Sequence, residues 1–196
     1  MQRINENTYI DDTLVTCVDY QLFIDEMRGQ GKYYQPDHWT SYQFPEGQAH
    51  APILGVRPSD AATFCEWLTG LEHGKWHYRL PTSDEAERYP LSSSAQSNLG
   101  YWIMGSDEEE FGFAWIGNAP LGGNILQLPR EHTRALNRDT ELSIDLAQAF
   151  LHETQTPNIR LSILDTLVNT VTLQERITGD FPAFEGIRVV KERKKF

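Results

Sequence analysis

Apolar residues at Ala61, Ala62, Cys65, Leu68 and Leu71 recur every three to four positions, a stripe that predicts a helix over residues 59–71. Pro58 and Ser59 stand ahead of it, and Asp60 places negative charge where the helix dipole is positive. Gly70 and Gly74 mark its end. Tyr78 to Thr82 then reads as a short extended piece interrupted by Pro81. Thr82 or Ser83, with a carboxylate about three residues on, forms a capping box that opens a second helix.

Either side of this segment the period changes. Tyr9 to Thr16 has the β-branched content of a strand, and Cys17 to Arg28 carries Val18, Leu22, Phe23 and Met27 at helical spacing, with Gly29 and Gly31 behind them. Residues 32–50 form an aromatic-rich loop punctuated by Pro36, Pro45 and Gly47, expected to pack down on the domain. Residues 91–97 are a polar spacer. Residues 101–104 and 113–116 read as two strands around an acidic, solvated tip. Residues 118–129 are expected to be irregular, with Gly122-Gly123-Asn124 as a turn.

Farther on, Leu142, Leu146, Ala149 and Phe150 predict a helix over 139–153. Thr156 and Pro157 open another, with Ile163, Leu164, Leu167, Val168 and Val171 on one face and Gly179 past its end. The pair makes a helical hairpin whose apolar faces need burial, within the chain or on a partner.

A chain of 196 residues makes about one domain, here 1–196, and one of that size buries roughly 70% of its unfolded surface. Hydrophobic content of 39% argues for a folded globule, and no apolar run approaches the roughly 18 residues of a membrane span. The polar start, Met1 to Thr8, carries no signal-peptide pattern, so the expectation is a cytoplasmic protein. A net charge of −11 argues against nucleic acid, and the basic cluster of Lys191, Arg193, Lys194 and Lys195 reads as a solvated tail. Cys17 and Cys65 have no CxxC spacing, and Cys65 falls on the apolar stripe as a small core residue.

Val56, Asp60-Ala61, Phe64-Cys65-x-Trp67 and above all Arg79-Leu80-Pro81-Thr82-x-x-Glu85-x-Glu87 resemble the helix and RLPT-x-x-E-x-E signature of the formylglycine-generating enzyme (sulfatase-modifying factor) family. Tyr9 to Thr16 with Tyr20 and Phe23-Ile24 resembles that family's opening strand and helix, and Glu185-Gly186-Ile187-Arg188-Val189-Val190 resembles its closing strand. The resemblance covers residues 8–90 and 184–190. It implies an α+β, C-type lectin-like fold whose terminal strands, Tyr9 to Asp12 and Ile187 to Val190, pair. Residues 91–130 then supply strands and irregular loops, and the hairpin within 131–179 is an insertion.

In that family the chemistry lies in the second half, in GNVWEW-like and RGGSW-like segments and in late cysteines that bind copper and oxidise a substrate cysteine. Here no cysteine follows Cys65, Ala86 stands where the family has Trp, and Tyr89-Pro90 cuts the second helix short. The resemblance without the site implies a degenerate relative, with no catalytic residue and no metal ligand. The expected function is ligand or protein recognition, as in the variable proteins of diversity-generating retroelements or the appendages of bacterial signalling NTPases.

On that reading Trp102, Trp115, Asn118, Asn124 and Arg130 form a ligand face, combining aromatic area with adaptable polar groups, unless Trp102 and Trp115 are core. Leu142, Leu146 and Phe150 form a partner-binding face. The partner is another protein, or a fused or neighbouring signalling protein, with no nucleic acid and no membrane. No cofactor is expected, although the family's fold leaves calcium open.

Two other readings stand beside it. A metal-dependent oxidase would draw on His38, His50, His73, His77, His132 or His152, but Gly74 breaks the helical spacing of His73 and His77, and Asp37 next to His38 lacks a nucleophile. A calcium-dependent glycan binder would draw on Gln35-Pro36-Asp37, which lies in the early loop rather than the late one where lectins of this fold bind sugar.

Overall fold

The computed structural model describes residues 1–36, 39, 41–72, 75–91, 99–105, 111–116, 125–128 and 185–194. In chain order these contain β1 (Gln2–Arg3), β2 (Thr8–Ile10), α1 (Cys17–Gly29), α2 (Pro58–Leu71), β3 (Trp76–Arg79), α3 (Ser83–Arg88), β4 (Gly100–Met104), β5 (Phe111–Trp115), β6 (Ile125–Leu128), β7 (Glu185–Gly186) and β8 (Val190–Arg193). The described strands form two four-stranded sheets, β1-β2-β8-β3 and β6-β5-β4-β7. The fold is α+β.

The two ends of the described chain meet in the first sheet, as the resemblance implied. The closing strand, however, is Val190–Arg193 rather than Ile187 to Val190, so Lys191 and Arg193, read from the sequence as a solvated tail, lie in the sheet. β2 and β8 are antiparallel, with Tyr9 opposite Lys191 and Ile10 opposite Val190. The first strand ends sooner than the β-branched run to Thr16 predicts. Past Ile10 the backbone bends, but it stays tied to the closing segment through Asp11 N–H to Val189 C=O at 2.9 Å and Val15 N–H to Ile187 C=O at 2.8 Å. Thr16 itself is needed elsewhere, because its side chain accepts from the Asp19 N–H and caps α1.

Both long helices form where predicted, but each is turned relative to the expected stripe. α1 buries Cys17, Tyr20, Phe23, Ile24 and Met27, leaving Leu22 61% and Val18 36% exposed. Two stripes of the same period run along this helix. The one with rings wins, because Tyr20 and Phe23 sit 5.4 and 5.6 Å from Phe64 of α2, centroid to centroid, and that contact buries more area. Correspondingly α2 buries Ala61, Phe64 and Cys65, while Leu71 is half exposed. Of the two candidate caps for α3 the structure uses Thr82. Its hydroxyl accepts from Glu85 N–H, and the Glu85 carboxylate accepts from Thr82 N–H at 2.8 Å.

In the second sheet β4 and β5 are antiparallel, Trp102 facing Phe113 and Gly100 facing Trp115, while β7 runs parallel to β4. A side chain at Gly100 would run into the Phe113 ring and the Ala114 carbonyl, so glycine is what lets these strands close. The expectation of irregular structure through residues 118–129 needs correction. Residues 125–128 form β6, antiparallel to β5, with Phe113 opposite Leu126. The Ile125-Leu126-Gln127-Leu128 run satisfies its backbone groups by pairing with β5, a gain not visible from the Gly- and Pro-rich surroundings.

The early loop packs down as expected. Trp39 is buried, Tyr34 and Phe44 rest on the core, and the Gln21 side chain donates to Tyr42 C=O at 2.8 Å and accepts from Phe44 N–H at 3.2 Å. The expected helices over 139–153 and 156–178, most of the 91–97 spacer and the acidic tip at 106–110 lie outside the described residues. No helix among the described residues is long and apolar enough to cross a membrane.

Candidate functional site

The closing segment carries a cation into the interior. Arg188, between β7 and β8, is 1% exposed. Its Nε donates to Asp11 C=O at 2.8 Å, and one terminal nitrogen donates to Tyr89 C=O at 2.6 Å and to the Tyr101 hydroxyl at 3.0 Å. One guanidinium thus joins the opening segment, the C-terminal end of α3 and β4. Burial pushes the Asp11 carboxyl up to about 6, against the pull of the chain's amino terminus and of Arg188. Burial likewise raises the Tyr101 hydroxyl.

A second cluster is built from the Arg-Leu-Pro-Thr segment. Arg79, on β3, grips Glu85 of α3 through two bonds of 2.7 Å and reaches Glu192 of β8 at 2.5 Å. Burial works against the Arg79 and Glu85 charges. The bidentate pair nonetheless holds the Glu85 carboxyl below its usual range and the Arg79 guanidinium above its own. Glu85 does double duty here, closing the capping box with the oxygen that also meets Arg79. The cluster fixes β3, α3 and β8 against each other, with its cation and carboxylates engaged with one another.

Trp102, read from the sequence as part of a ligand face, belongs to the core instead. It is 2% exposed, its ring lies 5.3 Å from Phe113 at 76°, and its indole N–H donates to Val56 C=O at 2.6 Å. The register that sets Trp102 opposite Phe113 puts both rings on the core side of the sheet. The backbone of Trp115 lies on β5 opposite Gly100. The Trp115 side chain, Asn118, Asn124, Arg130, Leu142, Leu146 and Phe150 lie outside what the structure describes.

Among the histidines, His50 and His77 are exposed, and Asp37, His38, His73, His132 and His152 fall outside the described residues. Among the described residues no group of three side chains could hold a metal ion. Gln35 is half-buried and Pro36 buried.

Copper, which the family resemblance implies, calls for thiolates that a metal can reach. Cys17 and Cys65 are both buried in the main apolar cluster, and burial pushes both thiols up, away from the thiolate form. The Cys17 thiol donates to Pro52 C=O at 3.7 Å. These two sulfurs do not fit a copper site.

In the sequence Arg188 and Asp11 stand 177 positions apart as letters of the closing and opening segments, and their spacing does not mark them as a hub. The available signal was one arginine inside the apolar Ile187-Arg188-Val189-Val190 run, where a charge needs partners.

Among known proteins, the family model for the Sulfatase-modifying factor enzyme 1-like domain matches residues 2–115, more than half of the chain. No curated protein and no solved structure matches it.

Proposed function

From the premise that the chain belongs to the Sulfatase-modifying factor enzyme 1-like domain family, we propose that it is a recognition module of that family without its oxidase chemistry. It would bind a ligand or another protein on a C-type lectin-like scaffold. The observation that carries this is the cysteine inventory. The chain has two cysteines, both in the first third and both buried thiols. A soft metal held by thiolates cannot be built from them, and no other side chain replaces a thiolate well there.

What remains among the described residues is a scaffold whose opening and closing strands pair in the first sheet, which on this reading leaves the connections of the second sheet to carry recognition. That is the division of labour a display fold requires. The recognition surface on this reading comprises Trp115, Asn118, Asn124 and Arg130, with Trp102 removed from it, together with Leu142, Leu146 and Phe150 as a partner face. A protein partner, including a fused or neighbouring signalling protein, is the ligand class that fits best.

Two measurements test the proposal on the purified chain. Cu(I) titration is expected to leave no stoichiometric copper after desalting, and a cysteine-containing peptide is expected to cause no oxygen uptake. One tightly held copper per chain, with peptide oxidation, would overturn the non-catalytic reading. Partner capture from cells, compared with a folded Leu146→Asp variant, tests the binding half. Loss of a stoichiometric partner in the variant is the expected result, and undiminished capture would remove Leu146 from the partner face.

A further inference from the structure

The first sheet carries an aromatic box closed on one of the chain's own cations. Tyr9, Lys191 and Tyr78 lie in register across β2, β8 and β3. The Lys191 Nζ stands 4.5 Å from the Trp76 ring centroid and 5.3 Å from that of Tyr78, and Tyr9 meets Trp76 edge-on at 5.8 Å. A carboxylate completes it. Glu72, beyond the end of α2, accepts from Lys191 at 3.3 Å and from the Tyr78 hydroxyl at 2.9 Å. Two ring faces and an anion around one ammonium are the composition of sites that bind ammonium ligands. Here the ligand is covalently part of β8.

We propose that Lys191 is a charge-dependent latch on the paired β2, β8 and β3 strands, one that acylation of its amine would release. With its charge, the ammonium holds β8 to β3 and to the end of α2. Without it, the rings lose their cation and Glu72 loses its counter-ion.

The placement makes the latch consequential. β8 is the strand between β2 and β3, so what loosens it loosens its pairing with both. Directly after Lys191 the backbone is held by Arg193 N–H to Asn7 C=O at 2.8 Å and Lys194 N–H to Lys75 C=O at 3.2 Å. Burial opposes the ammonium, but bonds to Tyr78 and Glu72 outweigh it and hold Lys191 above the usual lysine range. Lys32 and Lys75, by contrast, are exposed.

Acylation requires the neutral amine. Its lone pair attacks the carbonyl of an activated ester, an N–C bond forms, the ester's leaving group departs and the amine proton passes to solvent. A lysine held charged in a box must first leave it, so Lys191 reacts slowly, and once acylated it has no cation to return.

The probe is N-hydroxysuccinimidyl acetate on the purified chain, followed by peptide mass spectrometry. Lys191 is expected to acetylate about tenfold more slowly than Lys32 or Lys75, and Trp76→Leu should remove most of that lag. Lys191→Met, which keeps the aliphatic stem, is expected to speed amide exchange in β3 and β8 about tenfold, and Lys191→Arg to leave it near wild type. Acetylation of Lys191 in step with Lys32 and Lys75 would overturn the latch. So would exchange in Lys191→Met indistinguishable from wild type. If Lys191→Met does not fold, the acetylation rates in the wild-type chain decide alone.

Discussion

Replacing Arg188 by methionine removes the three-way tie while keeping an unbranched apolar stem of similar reach. The wild-type guanidinium makes three bonds of 2.6 to 3.0 Å, to the Asp11 and Tyr89 carbonyls and the Tyr101 hydroxyl. Each acceptor left buried without a donor costs about 1–3 kcal/mol, so three cost roughly 3–9. Against that, the variant no longer desolvates a cation, which returns several kcal/mol, and methionine fills part of the volume. Set against each other, these leave a net expected loss of about 1–4 kcal/mol, since the acceptors left behind are neutral.

Urea unfolding followed by tryptophan fluorescence reads it as a lower midpoint at unchanged slope. Arg188→Lys is expected to recover little, because an ammonium cannot reproduce the fork that spans acceptors on different segments. A loss below about 1 kcal/mol for Arg188→Met, or full recovery with Arg188→Lys, would refute the assignment of Arg188 as the tie between the opening segment, α3 and β4.

Two further outcomes follow from the same geometry. Gly100→Ala drives a methyl group into the Phe113 ring and the Ala114 carbonyl. It should cost about 1–3 kcal/mol, read as a lower thermal midpoint, whereas Gly29→Ala, with open space around it, should change stability by less than about 1 kcal/mol. Asp11 titrates near 6 in the fold against 3.8 when unfolded, so between those values the native state binds more protons. Its contribution therefore favours the fold at pH 4 and is lost as pH rises through 6, an effect of about 2 kcal/mol after allowing for its partial exposure. Asp11→Asn should flatten that part of the stability–pH curve, and an unchanged slope would show that Asp11 is not its source.

Local signals were legible in the chain because they act over a few residues. The Thr82 to Glu85 capping box satisfies backbone N–H groups within one turn, and Pro58 opening α2 has no N–H left to satisfy, so spacing alone reveals both, whereas Thr16, the cap of α1, reads in the sequence as the end of a strand. The pairing of the two ends was legible through motif order. Which stripe of α1 faces inward was not, since Val18 and Leu22 share the period of Tyr20 and Phe23. Nor was the fate of Trp102, where the same letter serves a core or a binding surface until a cross-strand neighbour is known.

Helices, caps and family membership were thus written in the order of residues, as was the lack of any cysteine beyond Cys65. The burial of Trp102, the strand at 125–128 and the joining of Asp11, Tyr89, Tyr101 and Arg188 were decided by tertiary contact. Those contacts span up to 177 positions, a distance over which periodicity carries no information and packing and hydrogen-bond satisfaction alone select the partner.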